Sequence, residues 1–377
     1  MKKVNLSILF DCHTFDREYQ GTSTFLAGLI NAIPGVMCKY FPHVVLDIHC
    51  AASSNLSVIK YIQVPYSFHF IRGGFLTRNI VDIPILARML QTNFVISQYV
   101  RPIWVPNFSV SIIHDFLFVD FPNHFSLSYR FIRKFFFIFS ANFSDKVFTV
   151  SNYSRSRIAH ICGIDLNCIS VLPNAIAHDW PSSVNSPSFS ISRRPLKLLY
   201  VSRLEQRKRH EWCMQAFIDL LQEGYDVQLI LVGGGNSNYA RSLRQYFSDL
   251  SIKYYGKFFH FEEISQVDLR NVYLQTDIFL FPSLCEGFGI PVIEAAAFGI
   301  PCVVTDGTAL SELNGFYVGS SFEADSYSHF LMSVRNIMDS LNEYQVAAKK
   351  NIDNIKKNYS WEITAKRFIS SLLELSN

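Results

Sequence analysis

Residues 277–301 read Asp-Ile-Phe-Leu-Phe-Pro-Ser-Leu-Cys-Glu-Gly-Phe-Gly-Ile-Pro-Val-Ile-Glu-Ala-Ala-Ala-Phe-Gly-Ile-Pro. The apolar run through Phe279 and Phe281, ended by Pro282 and Ser283, predicts a short buried strand. The chain then turns through Gly287 and Gly289, where the missing Cβ lets backbone approach a ligand. Pro291 suits the first turn of a helix, Val292 to Phe298 continue it, and Gly299-Ile-Pro301 stops it. Backbone N–H groups of residues 288–292 would point out of that helix start, where the dipole and the unpaired donors favour a phosphate. Glu286 at the loop mouth and Glu294 one turn inside the helix would repel a phosphate, so they suit hydroxyls of a sugar or ribose. A solvated Glu294 in an ordinary α/β strand-turn-helix would leave the same local pattern, so the rest of the chain has to decide.

Working outward, strand-like runs recur in two series. The first is Val4–Phe10, Val44–Ile48, Val58–Val64, Phe94–Val100, Val110–Ile113 and Lys146–Val150. The second is Leu196–Val201, Val227–Val232, Ile252–Tyr255, Ile278–Phe281 and Cys302–Thr305. Segments of helical character separate them, which predicts parallel sheets in two doubly wound α/β domains with a cleft between. The serine- and proline-rich stretch 181–192 marks the boundary, giving a first domain 1–185 and a second 186–358. The segment 359–377, with Ser360 as cap and apolar residues at 361, 365, 368, 369 and 372, predicts an amphipathic last helix.

The 377 residues suit two domains, and 49% hydrophobic against 17% charged content leaves ample core and argues against disorder. Net charge is +3 but uneven: Lys and Arg outnumber Asp and Glu 15 to 10 in residues 1–185 and trail 19 to 21 beyond. The eight cysteines form no C-x-x-C pair and match no histidine spacing, so neither a zinc site nor a disulfide framework is expected, and free thiols fit a reducing cytoplasm. The apolar start ends at Asp11 and reads as a first strand, and no transmembrane helix is expected.

Other groups fall at strand ends, where open α/β sheets bind ligands. Arg203 and Lys208 follow the strand Leu196–Val201 and could neutralise a diphosphate, against the alternative of a solvated basic loop. Gly233-Gly-Gly235 closes the next strand and serves equally as a tight turn. In the first domain the loop at Gly21 precedes an apolar periodic stretch and could face donor phosphates across the cleft. His114, after Val-Ser-Ile-Ile, stands where cleft-lining residues belong, although a lone histidine is more often structural. The segment 129–139 mixes cations with bulky aromatics, readable as a core helix with a basic edge or as an interfacial patch for an anionic membrane. The small net charge and lack of a recognisable module argue against nucleic acid as a partner.

Together these residues resemble the retaining glycosyltransferases of family 4, with the GT-B fold. The resemblance rests on Val-Ser-Arg-Leu-Glu-x-x-Lys at 201–208, Leu-Val-Gly-Gly-Gly at 231–235, the Glu-x7-Glu element at 286–294 with its inner Gly-Phe-Gly, and Gly-Ile-Pro-Cys-Val-Val-Thr-Asp at 299–306. Looser matches are the Gly21 loop, Ile-His-Asp at 113–115, Val-Phe-Thr-Val-Ser-x-x-Ser at 147–154 and the closing Tyr-Ser-Trp-Glu. It implies two Rossmann-like domains facing a central cleft, with a nucleotide-sugar donor held by the second domain and the last helix crossing back to the first. Arg203 and Lys208 would hold the diphosphate, Glu286 with Gly287, Phe288 and Gly289 the sugar and phosphate, Glu294 the ribose, and His114 would sit by the reacting sugar. No metal or other cofactor is implied. Ser311 stands where a proline is common before the following glutamate, which weakens Glu312 as a donor contact.

The implied activity is transfer of a hexose, with retention, to a saccharide or lipid-linked acceptor in surface polysaccharide synthesis (O-antigen or capsule), in the cytoplasm or at the inner membrane face. Two other readings are a sugar-nucleotide epimerase of the same architecture, acting on donor alone, and a catalytically silent partner subunit, against which the joint presence of Arg203, Lys208, Glu286 and Glu294 argues.

Overall fold

Strands and helices alternate through both halves of the chain, and every strand pairing among the described residues is parallel. The computed structural model describes residues 4–16, 21–176 and 195–376. It divides into two units, one taking in Met1–Ala177 and Tyr359–Asn377 and the other His178–Asn358. The 181–192 boundary stretch lies outside the described residues.

The first unit holds β1 (Val4–Asp11), β2 (Val44–Ala52), β3 (Ser67–Phe70), β4 (Phe94–Gln98), β5 (Phe108–Ile112), β6 (Lys146–Thr149) and β7 (Ile169–Val171), in the order β3-β2-β1-β4-β5-β6-β7. The second holds β8 (Leu196–Val201), β9 (Val227–Val232), β10 (Phe258–Phe261), β11 (Ile278–Phe281), β12 (Cys302–Asp306) and β13 (Gly319–Glu323), in the order β10-β9-β8-β11-β12-β13. In each sheet the order reverses once, between β1 and β4 and between β8 and β11. Such a reversal opens a crevice at the carboxyl ends of the two strands. Helices cover both faces, so β4 and β11 are buried at every residue and read as unbroken apolar or small runs.

Two expected strands are displaced. Ser54 caps a short helix at Asn55–Ile59, its Oγ accepting from Leu56 N, so the apolar residues from Val58 begin in a helical turn and the strand follows at β3. Ile252 and Lys253 close the helix Asn238–Lys253, whose Ala240, Leu243, Phe247 and Leu250 carry the helical spacing into the core, and β10 starts five residues later. Gly21 is the first residue of the helix Gly21–Tyr40, not part of a loop, and residues 17–20 before it lie outside those described.

That helix is long and apolar enough to cross a bilayer. Its apolar face is already occupied: Phe25, Leu26, Leu29, Ile30 and Ile33 are buried, and it packs along the last helix, Trp361–Ser376. Gly28 makes that packing possible, since a Cβ there would overlap the indole of Trp361. Thr364 donates to Pro173 O, Ile176 N to Tyr359 O, and Phe368 rests between Phe10 and Phe148, so the last helix is part of the first unit's core.

Candidate functional site

The second sheet's order reverses between β8 and β11, and the loops leaving those two strands meet. Leu284 N donates to Arg207 O, and Arg207 Nη1 returns a bond to Cys285 O at 2.7 Å. This backbone stitching brings the β8 loop's cations against the β11 loop's glutamate. Lys208 Nζ donates to Glu286 Oε1, and Arg207 Nη1 stands 3.5 Å from Glu286 Oε2. Lys208 and Glu286 are only 8% and 9% exposed. Burial pushes the Lys208 ammonium below its ordinary pKa, and Arg207 adds to the shift. Burial alone would raise the Glu286 carboxyl, but Lys208 and Arg207 outweigh it and leave the group below the usual carboxylate range. The two form a buried, directly bonded pair, and neither member is a free solvated side chain.

Arg203 lies nearer solvent and pairs with Glu205 at 2.7 Å, and Glu205 also holds Arg207 at 2.7 Å. Three cations thus face two carboxylates, a net of one positive charge beside the loop that runs into the helix Ile290–Ala297. Gly289 caps that helix at φ +112, with no side-chain cap bond, and a Cβ on it would lie 2.7 Å from Leu310. Only glycine meets both demands at this turn. Gly233, after β9, has φ +136, and a Cβ there would overlap Ser202 O at the end of β8. The triple glycine is thus more than a turn: it lets two strand ends close up beside Arg203.

Glu294 sits one turn into the helix, as its spacing from Glu286 predicts, and accepts from Tyr273 Oη at 2.9 Å. Burial pushes its carboxyl up to about 7, with the tyrosine bond pulling the other way. Among the described residues cations pair with Glu286, whereas Glu294 is held by the tyrosine hydroxyl. It is a carboxylate that gains from hydroxyl donors.

Residue-type reasoning missed Arg207, Glu205, Tyr273 and Thr308. Arg207 and Glu205 stand inside the same short segment as Arg203 and Lys208, where a rule that ranks the strand-end cation first hides them. Thr308, in the left-handed region at φ +52, accepts from Glu286 N at 3.0 Å and fixes the loop from β12's side. Nothing local in the sequence marks Tyr273 or Thr308, because their partners are 21 and 22 residues away.

His114 and Gly21 lie in the first unit. His114 follows β5 beside that sheet's own reversal and is almost fully buried. Its Nε2 donates to Gln98 Oε1 at 2.9 Å, while the Gln98 amide nitrogen donates to Thr14 Oγ1 at 2.9 Å. Phe25 meets the ring edge-on and Tyr99 tilts against it. Burial holds the imidazole neutral by lowering its pKa to about 3. At the end of β1 the buried Asp11 holds Arg78 at 3.2 Å and His13 Nδ1 at 2.9 Å, a charged cluster that the strand pattern did not announce. Thus His114 is a held, neutral group in a polar network at the strand ends, while Gly21 is a helix-start position whose Ser23 neighbour bonds Thr14 O. A depression of about 340 Å³ lined by Asn93, Pro106, Asn107, Phe108 and Asp145 lies at the other, amino-terminal edge of the same sheet, away from these groups. The described residues contain no cluster of three or more His, Cys, Asp or Glu able to hold a metal.

Residues 184–354 match the family model of glycosyl transferases group 1. A curated relative, the O-antigen chain mannosyltransferase RfbU of Salmonella typhimurium, is 29% identical over 234 residues, which cover 60% of this chain and 63% of the relative. The match therefore spans less than two thirds of that relative's length. Among solved structures, sucrose-phosphate synthase from Thermosynechococcus elongatus superposes with a TM-score of 0.76 at 14% identity over 99% of both chains. Anabaena HepE in complex with UDP-glucose gives 0.71 at 16% identity, over 98% of this chain and 100% of that one. At such identities the likeness concerns the fold, and the two parallel-sheet domains are those of GT-B.

Proposed function

We propose that this chain, a group 1 glycosyltransferase by the family of its residues 184–354, moves a hexose from a nucleotide-sugar donor to a saccharide or lipid-linked acceptor in surface polysaccharide synthesis. The observation that carries the reading is the cluster of Arg203, Arg207 and Lys208, held through Cys285 and Glu286 against the loop that runs into the glycine-capped Ile290–Ala297 helix at the sheet's reversal. A diphosphate placed there meets a net positive cluster and a helix N-terminus together. It would draw Arg203 away from Glu205, the more exposed of the two ion pairs, and leave the buried Lys208–Glu286 pair in place.

In this reading Glu294 accepts the ribose hydroxyls, and the loop Gly287-Phe288-Gly289 lies along the sugar phosphate. As the glycosidic bond breaks, the departing diphosphate gains charge, and cations and N–H groups already aimed at it lower the barrier. No protein group need take part in metal binding. His114, neutral and locked by Gln98, is suited to a hydrogen bond with a sugar hydroxyl and unsuited to proton transfer near neutral pH, because its pKa lies far below. We further propose retention at the transferred carbon, as in the family that the motifs resemble. Mannose is the first sugar to test, since the RfbU relative is named for it.

The test is a calorimetric and turnover screen of nucleoside diphosphates and their hexose conjugates, with anomeric NMR of any product. One nucleotide should bind and its conjugate should donate, with Arg203→Ala and Glu294→Ala each weakening binding at least tenfold. A purified, folded protein that binds none of them would overturn the proposal, and turnover of donor without acceptor, giving an isomeric sugar nucleotide, would replace transfer by epimerisation.

A further inference from the structure

The helix Leu127–Phe143 is apolar on its outward side as well as on the side that meets the core. Phe137, Ser140 and Ala141 face the core, while Phe131 and Phe135 are 75% and 67% exposed and Leu127, Ile132 and Phe143 are exposed with them. A core helix with a basic edge would bury the aromatic residues and show the cations. Here Lys134 and Arg130 flank an exposed aromatic face, Arg133 lies over the rings of Tyr129 and Phe137, and the helix carries no carboxylate.

This face continues onto two neighbouring elements of the same unit. Phe75 meets Phe136 edge-on at 4.8 Å, and next to it Leu76 is 63% exposed, with Ile80 exposed one turn on. The loop 101–105 is stitched between them: Arg101 N donates to Ser140 Oγ, Arg101 lies over Phe139, and Ile103 N donates to Asn79 O at 3.0 Å. That loop presents Ile103 and Trp104 to solvent. The backbone beside it, Arg78–Asp82, is a π-helical turn, a form that recurs at functional positions. Three elements thus expose large apolar side chains side by side, well beyond the scattered singles of an ordinary surface.

We infer that this face docks on an anionic lipid bilayer, with Phe131, Phe135, Leu76 and Trp104 entering the headgroup and acyl boundary and Arg130, Arg133 and Lys134 meeting lipid phosphates. Two features favour lipid over a protein partner. The cations flank the aromatics with no acid on that helix, the complement of an anionic sheet of charge. A tryptophan held at the rim by a short proline-bounded loop suits the membrane interface, where an apolar ring and a polar N–H find both surroundings. The inference stands on the first unit alone and does not depend on the donor reading. If both hold, the acceptor is one that the bilayer presents.

The experiment is co-sedimentation of the full chain with phosphatidylcholine vesicles with and without phosphatidylglycerol, at low and physiological salt. Binding should need the anionic lipid and weaken with salt. Phe131→Ser with Phe135→Ser should reduce it by at least about tenfold, and Arg130→Gln and Lys134→Gln by roughly fivefold each. These side chains are exposed, so circular dichroism and melting should match the parent. Bromine-labelled lipids should quench fluorescence in a variant that keeps Trp104 and carries Phe at 180, 212 and 361, and in parallel should fail to quench the parent with Trp104→Phe beyond its residual level. Lack of sedimentation with anionic vesicles would overturn the inference. So would unchanged binding by the Phe131→Ser/Phe135→Ser variant, or a concentration-dependent dimer that those substitutions dissolve without any vesicle binding, which would make the occupant a second copy.

Discussion

Lys208→Met separates a structural ion pair from a donor site, and the geometry fixes the size of the effect. Lys208 and Glu286 are both more than nine-tenths buried. Removing one partner of such a pair costs about 3–5 kcal/mol, because the other charge is left in a dry place. Arg207 remains 3.5 Å from Glu286 Oε2, so the carboxylate is not abandoned and the cost belongs at or below the lower end, about 2–3 kcal/mol. For a unit of this size that is a fall in Tm of about 5–10 °C. The double variant Lys208→Met, Glu286→Leu removes both charges and fills the same space with apolar atoms, so stability should return to within about 1 kcal/mol of the parent. Nucleotide binding should not return with it: Arg203, Arg207 and Glu205 keep the cluster's net charge at one positive, but the Lys208 ammonium and the Glu286 carboxylate that would orient diphosphate and sugar are gone. Urea unfolding gives the first quantity and titration calorimetry the second. A double variant that regains stability and binds nucleotide like the parent would show that the pair only holds two loops together, and the donor-site argument would fail at its centre.

Glu294, raised to about 7 against an ordinary 4.5, holds its proton more tightly in the folded state, so its contribution to stability is fully present below pH 4.5 and is lost as pH rises through 7. Glu294→Gln should therefore remove a decline in urea midpoint between about pH 4.5 and 7, worth on the order of 1–3 kcal/mol, while nucleotide affinity, rising with pH toward 7 in the parent, becomes flat. His114 is held neutral down to about 3, so its contribution is present above pH 6.5 and is lost as pH falls from 6.5 toward 3; His114→Gln should make the acid limb of the stability profile shallower, and an unchanged limb would contradict the assignment. Gly28→Ala should destabilise by about 1–2 kcal/mol because the Trp361 clash exceeds the gain in helix propensity, yet in a Trp361→Ala background the same change should stabilise by about 0.5–1 kcal/mol; equal effects in both backgrounds would refute the contact.

Much of this fold was legible because parallel sheets announce themselves. Strands buried on both faces, such as β4 and β11, leave continuous apolar or small-residue runs, and glycine and proline punctuate the segment 287–301 where the backbone has special demands. Edge strands escape that logic. β3 and β13 are short and half exposed, so Ser-Phe-His-Phe and Gly-Ser-Ser-Phe-Glu carry no pattern that distinguishes them from loops, and the apolar residues near them drew the assignment to 58–64 instead. At the site, the residues within one motif could be read together. The contacts that give them their chemistry could not, since Lys208 and Glu286 are 78 residues apart and the sheet order that unites them is a property of the whole unit.

The two ends of the first unit show a different limit. In the helix Leu127–Phe143 both faces are rich in phenylalanine, so periodicity cannot tell which side turns inward. The deciding quantity is the number of surfaces available to cover it, and that is set by neighbours such as the sheet beneath Phe137 and the loop at Arg101. In the helix Gly21–Tyr40 the composition alone fits a membrane span, yet a single missing side chain at Gly28 lets Trp361 seat against it from more than 300 residues away. One apolar helix is thereby taken into the core and another is left uncovered. Total hydrophobicity does not decide this: glycine at 28 creates a socket that Trp361 fills, whereas Phe131 and Phe135, the same size as the fully buried Phe10 and Phe148, stand on a face that no described element of the unit covers.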